Sequence, residues 1–201
     1  VCNIKEAAFK DCRSLCSVIL PSRLERIPDR CFFGCSKLQL IVIPPRVKKI
    51  GVYAFYRCEF LEQVTVHSRD IQIERNCFEN CSYLKRVEMP EYAYRGRRWE
   101  LDLSIPYWGR DAFYSCCGLV EIDLSNYPIC SFEEACFSMC TSLEKIILSK
   151  ETTELMPECF ANCYYLKEIG YENFGDDKKN PKHQFGVDLK EMNCFSNRVF
   201  K

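Results

Sequence analysis

The chain has 201 residues, 47% of them hydrophobic and 13% aromatic, so it can bury a substantial core as one large domain or two small ones. Its 28 Lys and Arg balance 28 Asp and Glu, which argues against a general binder of nucleic acid or anionic membrane. Apolar runs of only a few residues exclude a membrane-spanning helix; no basic-then-apolar leader opens the chain, but it begins at Val1 rather than Met, so a missing targeting signal carries no weight.

In chain order, the first recognisable unit is Phe9 with Cys12 three residues on. The pair returns at Phe32/Cys35, Phe55/Cys58, Phe78/Cys81, Phe113/Cys116, Phe137/Cys140 and Phe160/Cys163. An eighth Phe, Phe195, is followed by Arg198 where Cys is due, and the steps from Phe to Phe are 23, 23, 23, 35, 24, 23 and 35. A fixed period in this range marks a solenoid of stacked units. In each unit Leu stands three residues after Cys (Leu15, Leu38, Leu61, Leu84, Leu119, Leu143, Leu166). A β-branched residue follows three further on (Val18, Ile41, Val64, Val87, Ile122, Ile146, Ile169), and a mostly apolar one two beyond that (Leu20, Ile43, Val66, Met89, Leu124, Leu148, Tyr171). That last spacing predicts a strand with alternate side chains facing inward, stopped by Pro21, Pro44 or Pro90. A second short apolar segment, as at Leu24/Ile27 and Val47/Ile50, closes the coil.

One 23-residue coil is too small to bury its own apolar side. Stacking sets Leu on Leu and Phe on Phe and pairs each strand with its neighbours. The units predict a single solenoid domain over residues 1–201, mainly β with short turns or helical bits around each Phe. About eight coils, at a strand spacing of roughly 4.8 Å, would be on the order of 40 Å long. The two long steps are insertions of about 12 residues, near 91–107 and 174–187.

The recurring pattern A/C-F-x-x-C-x-x-L-x-x-I-x-L-P-x-x-V-x-x-I resembles the BspA-like class of leucine-rich repeat over nearly the whole chain. The resemblance implies a right-handed solenoid with a β-sheet along one face and no catalytic residues. It also implies a module that binds proteins, since many members are surface proteins of bacteria or protists that bind host or matrix proteins. The sequence departs from the pattern at the two insertions and at Arg198.

The 16 cysteines invite three readings. Seven occupy the column three after Phe; five more (Cys31, Cys77, Cys136, Cys159, Cys194) sit just before Phe, where other units have Ala8, Ala54 or Ala112. Alternation with Ala indicates a small buried site, and Cys behaves there as a small hydrophobe. Disulfides between adjacent coils and a structural zinc site are the rivals. Two unequal columns do not pair into a neat framework, and the chain has only His67 and His183 as imidazole ligands, so no metal or other cofactor is expected. Cys2, Cys16, Cys117 and Cys130 lie off the main columns and are the expected exposed thiols.

Candidate contact residues fall in two places. On the outward positions of the strands most side chains are polar, but Ile19, Leu40 and Val42 stand together, with Arg86 further along the same face. An exposed apolar cluster marks a contact site or is plain β-propensity on a sheet face. The first insertion, "EYAYRGRRWELDLSIPYW", holds Tyr92, Tyr94, Arg97, Arg98, Trp99, Tyr107 and Trp108. Tyr, Trp and Arg are enriched at binding hot spots; a loop packing its own aromatics on the coil is the bland alternative. Stacked aromatics with Arg also hold single-stranded nucleic acid, yet one basic run in a neutral chain argues against that partner. The second insertion is polar with Gly and Pro and reads as a mobile loop.

Residues 1–90 carry 15 basic and 10 acidic side chains, a net +5, and residues 91–201 carry 13 and 18, a net −5. Sequence order is spatial order in a solenoid, so end-on contacts with neighbouring chains are expected. Val1 and Ile4 stand in the columns of Leu24 and Ile27, and Phe195 opens a coil that stops at Lys201. Solenoids need polar end caps, so the sequence reads as a piece of a longer protein or as one whose ends a partner covers. The function expected is a non-enzymatic protein–protein interaction module. The alternatives are an intracellular structural scaffold, which free thiols favour, and a cell-surface adhesin, which the resemblance favours. No Ser/His/Asp set, phosphate loop or H-E-x-x-H motif points to catalysis.

Overall fold

The computed structural model describes residues 3–68, 71–90, 107–127, 129, 131–149, 152 and 154–171. These form a parallel β-solenoid with three faces, each built by one segment of the repeat.

The first face is the alternating segment after Leu. Its strands are β2 (Leu40–Ile43), β4 (Gln63–Val66), β6 (Arg86–Glu88), β8 (Glu121–Asp123), β10 (Lys145–Leu148) and β12 (Glu168–Tyr171). Pairing is parallel with a shift of one coil, Ile41 beside Val64 beside Val87, and Ile122 beside Ile146 beside Ile169. Inward residues are buried and outward ones are not, as the alternation in sequence demands. The second face is a six-stranded sheet of two-residue strands: β1 (Arg26–Ile27), β3 (Lys49–Ile50), β5 (Gln72–Ile73), β7 (Tyr107–Trp108), β9 (Ser131–Phe132) and β11 (Glu154–Leu155).

The third face is the turn around each Phe, and it contains no helix among the described residues. The reason lies in the backbone. In every described coil the residue two before Phe and the residue two after it have positive φ, from Ala7 and Asp11 to Glu158 and Asn162. A left-handed residue on either side of Phe stops a helix from propagating. Only Gly34 among these fourteen positions is Gly, and none is β-branched, the class that suffers most there. Each non-Gly residue costs roughly 1 kcal/mol in this conformation. Hydrogen bonding offsets the cost. Around Phe55, the amides of Tyr53, Phe55 and Arg57 donate to the next coil, at Arg75, Cys77 and Glu79 carbonyls. The intervening amides of Ala54, Tyr56 and Cys58 donate within the turn. Alternate amides thus serve alternate directions, and the turn becomes a third inter-coil ladder.

The core is one continuous cluster. Phe9, Phe32, Phe55, Phe78, Phe113, Phe137 and Phe160 form a single file, with ring centroids 5.1–5.5 Å apart and planes within 17°. Beside it run Leu38, Leu61, Leu84, Leu119 and Leu143, all fully buried. The described residues hold six coils with strands on both faces, not eight. The Phe9 coil has no assigned strand, and the expected Phe195 coil and second insertion lie outside the described residues.

The column three after Phe does more than fill space. The thiols of Cys35, Cys58, Cys81, Cys116, Cys140 and Cys163 each donate to the Phe carbonyl of the preceding coil, at 3.0–3.3 Å. That carbonyl already accepts the amide of the Cys in its own coil, as Phe32 accepts from Cys35 at 3.1 Å. Cys therefore supplies a second, weak donor without adding a strongly polar atom to the core. The thirteen described cysteines are free thiols. Burial pushes the Cys31 thiol up to about 12 and the Cys35 thiol up to about 11, and holds Cys58, Cys77, Cys81, Cys116, Cys136 and Cys140 well above the usual thiol range. Such thiols are poor nucleophiles. Of the expected exposed thiols, Cys16 is exposed, Cys117 is only half-buried, and Cys2 and Cys130 lie outside the described residues; Cys12 is exposed too, having no described coil beneath it.

Candidate functional site

The outward positions of the first face form one candidate contact surface. At its N-terminal end Ile19 is 97% exposed, Leu40 49% and Val42 43%. Ile19 and Val42 occupy the same column one coil apart, and Leu40 lies two residues from Val42 on the same side of β2. The three expected apolar residues are therefore one exposed patch. Beyond them the face is mostly polar and self-paired, with half-buried Ile147 the apolar exception. Gln63 Nε2 donates to Thr65 Oγ1 at 3.1 Å, Thr65 Oγ1 donates to Glu88 Oε2 at 3.1 Å, and Lys145 pairs with Glu168 at 3.2 Å. Arg86 is exposed and approaches Glu88 only at 4.0 Å.

The face is not one sheet. Strands β2, β4 and β6 form one three-stranded sheet and β8, β10 and β12 another, with no strand pairing between β6 and β8. The chains still touch lower down. A Cβ on Gly118 would lie 3.0 Å from both the Ser82 carbonyl oxygen and the Tyr83 carbonyl carbon, so any larger residue there would push the backbone by a few tenths of an ångström. From there β8 diverges from β6 and leaves a cleft of ≈ 420 Å³. Its apolar lining includes Val87, Met89, Ile122 and Ile147, and its rim carries Arg86, Glu88, Glu121, Asp123 and Lys145. Ser125 Oγ is buried at this cleft without a hydrogen-bond partner. Tyr127, 1% exposed, reaches across to accept the Ile71 amide at 2.7 Å, a bond between residues 56 apart in sequence. The sequence signal for this break was the 35-residue step between Phe78 and Phe113; the cleft it opens was not anticipated.

Of the first insertion, expected near 91–107, residues 91–106 lie outside the described residues. Tyr107 and Trp108 do not belong to it; they are strand β7 of the second face. Trp108 is fully buried, with its ring 4.8 Å from Phe113, 5.5 Å from Phe132 and 5.8 Å from Phe137, so it is a core residue and not a contact. The signal was present: Trp108 stands five residues before Phe113, in the column of Ile27, Ile50 and Ile73. Tyr107 is half-exposed and donates its hydroxyl to Glu74 Oε1 at 2.7 Å. Burial and the Glu74 carboxylate push that phenol up. For Glu74, burial works to raise the carboxyl, but hydrogen bonds from Lys49 and Tyr107 outweigh it and the net direction is down. Tyr92, Tyr94, Arg97, Arg98 and Trp99 lie outside the described residues. Among those described, no group of three or more His, Cys, Asp or Glu is placed to hold a metal ion, and no helix is long and apolar enough to cross a membrane.

Stacked parallel coils with a Leu column under a strand face define a leucine-rich-repeat solenoid. The sequence matches the BspA type leucine rich repeat region over residues 2–95 and 97–177, and the chain belongs to that family. A leucine-rich repeat protein from Bacteroides ovatus superposes with a TM-score of 0.54 at 24% identity, over 81% of this chain and 50% of that one. This chain thus spans half the length of that structure. The leucine-rich repeat protein of T. pallidum superposes with a TM-score of 0.53 at 20% identity, over 85% of this chain and 83% of that one. At these identities the likeness is one of fold. No curated protein matches the sequence.

Proposed function

We propose that this solenoid is a non-enzymatic module that binds a protein partner through the first strand face, using the patch of Ile19, Leu40 and Val42 as its apolar anchor. Leucine-rich-repeat solenoids generally serve as protein-interaction or surface repeat modules. The observation that carries the reading is the exposure of these three β-branched and aliphatic side chains together on a face that is otherwise mostly polar and internally paired. A contiguous apolar patch on a solvated sheet gains free energy when a partner covers it. Arg86 and the cleft beside β6 extend the same surface, and the sequence that follows β6 supplies Tyr92, Tyr94, Arg97, Arg98 and Trp99, residues of hot-spot chemistry.

The test is affinity capture from the native source with the wild-type chain and an Ile19→Lys/Val42→Lys variant, both checked for folding by circular dichroism. Both side chains are exposed, so the variant retains the fold. Proteins retained by the wild type and lost by the variant, but kept by a Glu168→Gln control on the same face, support the reading. An identical set of captured proteins for all three sinks it.

A further inference from the structure

The turn face carries a second surface, separate from the strand face and independent of it. The rings of Phe33 and Tyr56 stack with centroids 4.8 Å apart, and Tyr53 meets Tyr56 edge-on at 5.4 Å. The Lys10 ammonium lies 5.2 Å above the Phe33 ring, and the Arg57 guanidinium 5.4 Å from the centre of Tyr56. Lys10, Arg30, Phe33, Tyr53 and Tyr56 line an open depression of ≈ 520 Å³. All three rings are half-buried and all three cations exposed. No ion pair joins Lys10, Arg30 or Arg57 to a carboxylate among the described residues, and Asp11, the nearby acid on these columns, is tied to Arg13 at 3.8 Å. Elsewhere the surface cations are largely paired, as Lys49 with Glu74, Lys85 with Glu62 and Lys167 with Glu144.

Three cations in no salt bridge among the described residues surround an aromatic floor, with Arg57 also feeling the Glu79 carboxylate of the next coil, and they favour a ligand with both negative charge and apolar body. Lys10 and Arg57 each lie against a ring face, and Arg30 adds a third exposed positive charge at the rim. The extent of the site is bounded along the solenoid axis. The same columns turn acidic one coil on, at Glu79 and then Asp111, whose carboxyls feel each other. A long polyanion lying along the axis would run into that repulsion; a short segment would not.

We propose that this depression binds a short acidic peptide segment, whose aliphatic or aromatic side chain rests on Phe33, Tyr53 and Tyr56 while its carboxylates lie among Lys10, Arg30 and Arg57. The proposal goes beyond the strand-face reading and stands if that reading fails, because none of its residues lies on the first face.

Fluorescence anisotropy with a fluorescein-labelled peptide alternating Asp or Glu with Leu tests it. Saturable binding that weakens with added salt is expected, and no binding of a peptide with Lys in place of the acids. A Lys10→Glu/Arg30→Gln variant should lose affinity roughly tenfold, from two exposed charges and one cation–ring contact. Lys10→Gln alone, a change at one exposed side chain, should lose a few-fold, and Tyr53→Ala should weaken binding without changing its salt dependence. Lys145→Gln on the strand face should bind as the wild type does. Absent saturable binding, undiminished affinity in Lys10→Gln, or tighter binding of a heparin hexasaccharide or a single-stranded oligonucleotide than of the peptide would each overturn the proposal.

Discussion

Replacing Phe55 by Ala removes a ring that is fully buried and sandwiched between Phe32 at 5.2 Å and Phe78 at 5.1 Å. A buried Phe→Ala change costs about 3–5 kcal/mol through lost transfer energy and the cavity left behind. Two lost ring contacts, each about 0.5–1.5 kcal/mol beyond area, place Phe55→Ala at the upper end, about 4–5 kcal/mol. Phe9 is the natural comparison. It is only half-buried and stacks on Phe32 alone among the described rings. Phe9→Ala should therefore cost about 1–2 kcal/mol, from half the burial and one contact. Urea unfolding followed by far-UV circular dichroism and by tryptophan fluorescence measures both. At a slope of about 2 kcal/mol/M the midpoint should fall by about 2 M for Phe55→Ala and by less than about 1 M for Phe9→Ala. Because each coil contacts only its neighbours, a gap at Phe55 also weakens the coupling between the two ends of the stack. In a Trp99→Phe background the fluorescence of Trp108, on the fourth strand of the six-stranded sheet, should then separate from the dichroism signal. A Phe9→Ala cost equal to or above that of Phe55→Ala would refute the shared file of rings as the source of stability.

Two further outcomes are expected. Among the described cysteines, iodoacetamide at neutral pH should label Cys12 and Cys16 first and Cys117 more slowly, while the buried Cys of the two columns beside Phe react only after urea, as mass spectrometry of the modified peptides can assign; a fast-reacting Cys58 or Cys81 would contradict their burial. Glu79 and Glu74 should respond to pH with opposite signs. Burial, with the Asp111 carboxylate adding to it, raises Glu79 above its ordinary 4.5, so its ionisation destabilises the fold as pH rises through that window. Glu79→Gln should match or exceed wild-type stability at neutral pH and lose that advantage below about pH 4.5. Glu74 is lowered, so it stabilises above its ordinary value and Glu74→Gln should be the weaker protein at neutral pH, with the gap closing as pH falls through the lowered value. Melting temperatures across that range check both, and equal pH profiles for the two variants would contradict these shifts.

The repeat in the sequence determined the family, the Phe file, the Leu column and the side of each strand that faces inward. Those features depend only on residues at a fixed spacing, and stacking identical coils turns equal spacing into contact. Thus Ile41, Val64 and Val87 could be placed together from their numbers alone. Ile19, Leu40 and Val42 could be placed on one exposed face for the same reason. Trp108 shows the limit of composition as a guide: it sat beside Arg and Tyr and resembled a hot spot, while its register five before Phe113 assigned it to the core. Only the tertiary structure decided the rest. Left-handed backbone on either side of each described repeat Phe makes the segment a turn, of the two expected forms, because amides that can bond to the next coil outweigh a local preference that one coil alone would follow. The break between β6 and β8, the Tyr127 strut and the cation-lined ring depression arise where coils depart from one another in side chain or length. Periodicity describes what successive coils share, and partner-binding chemistry resides in what they do not.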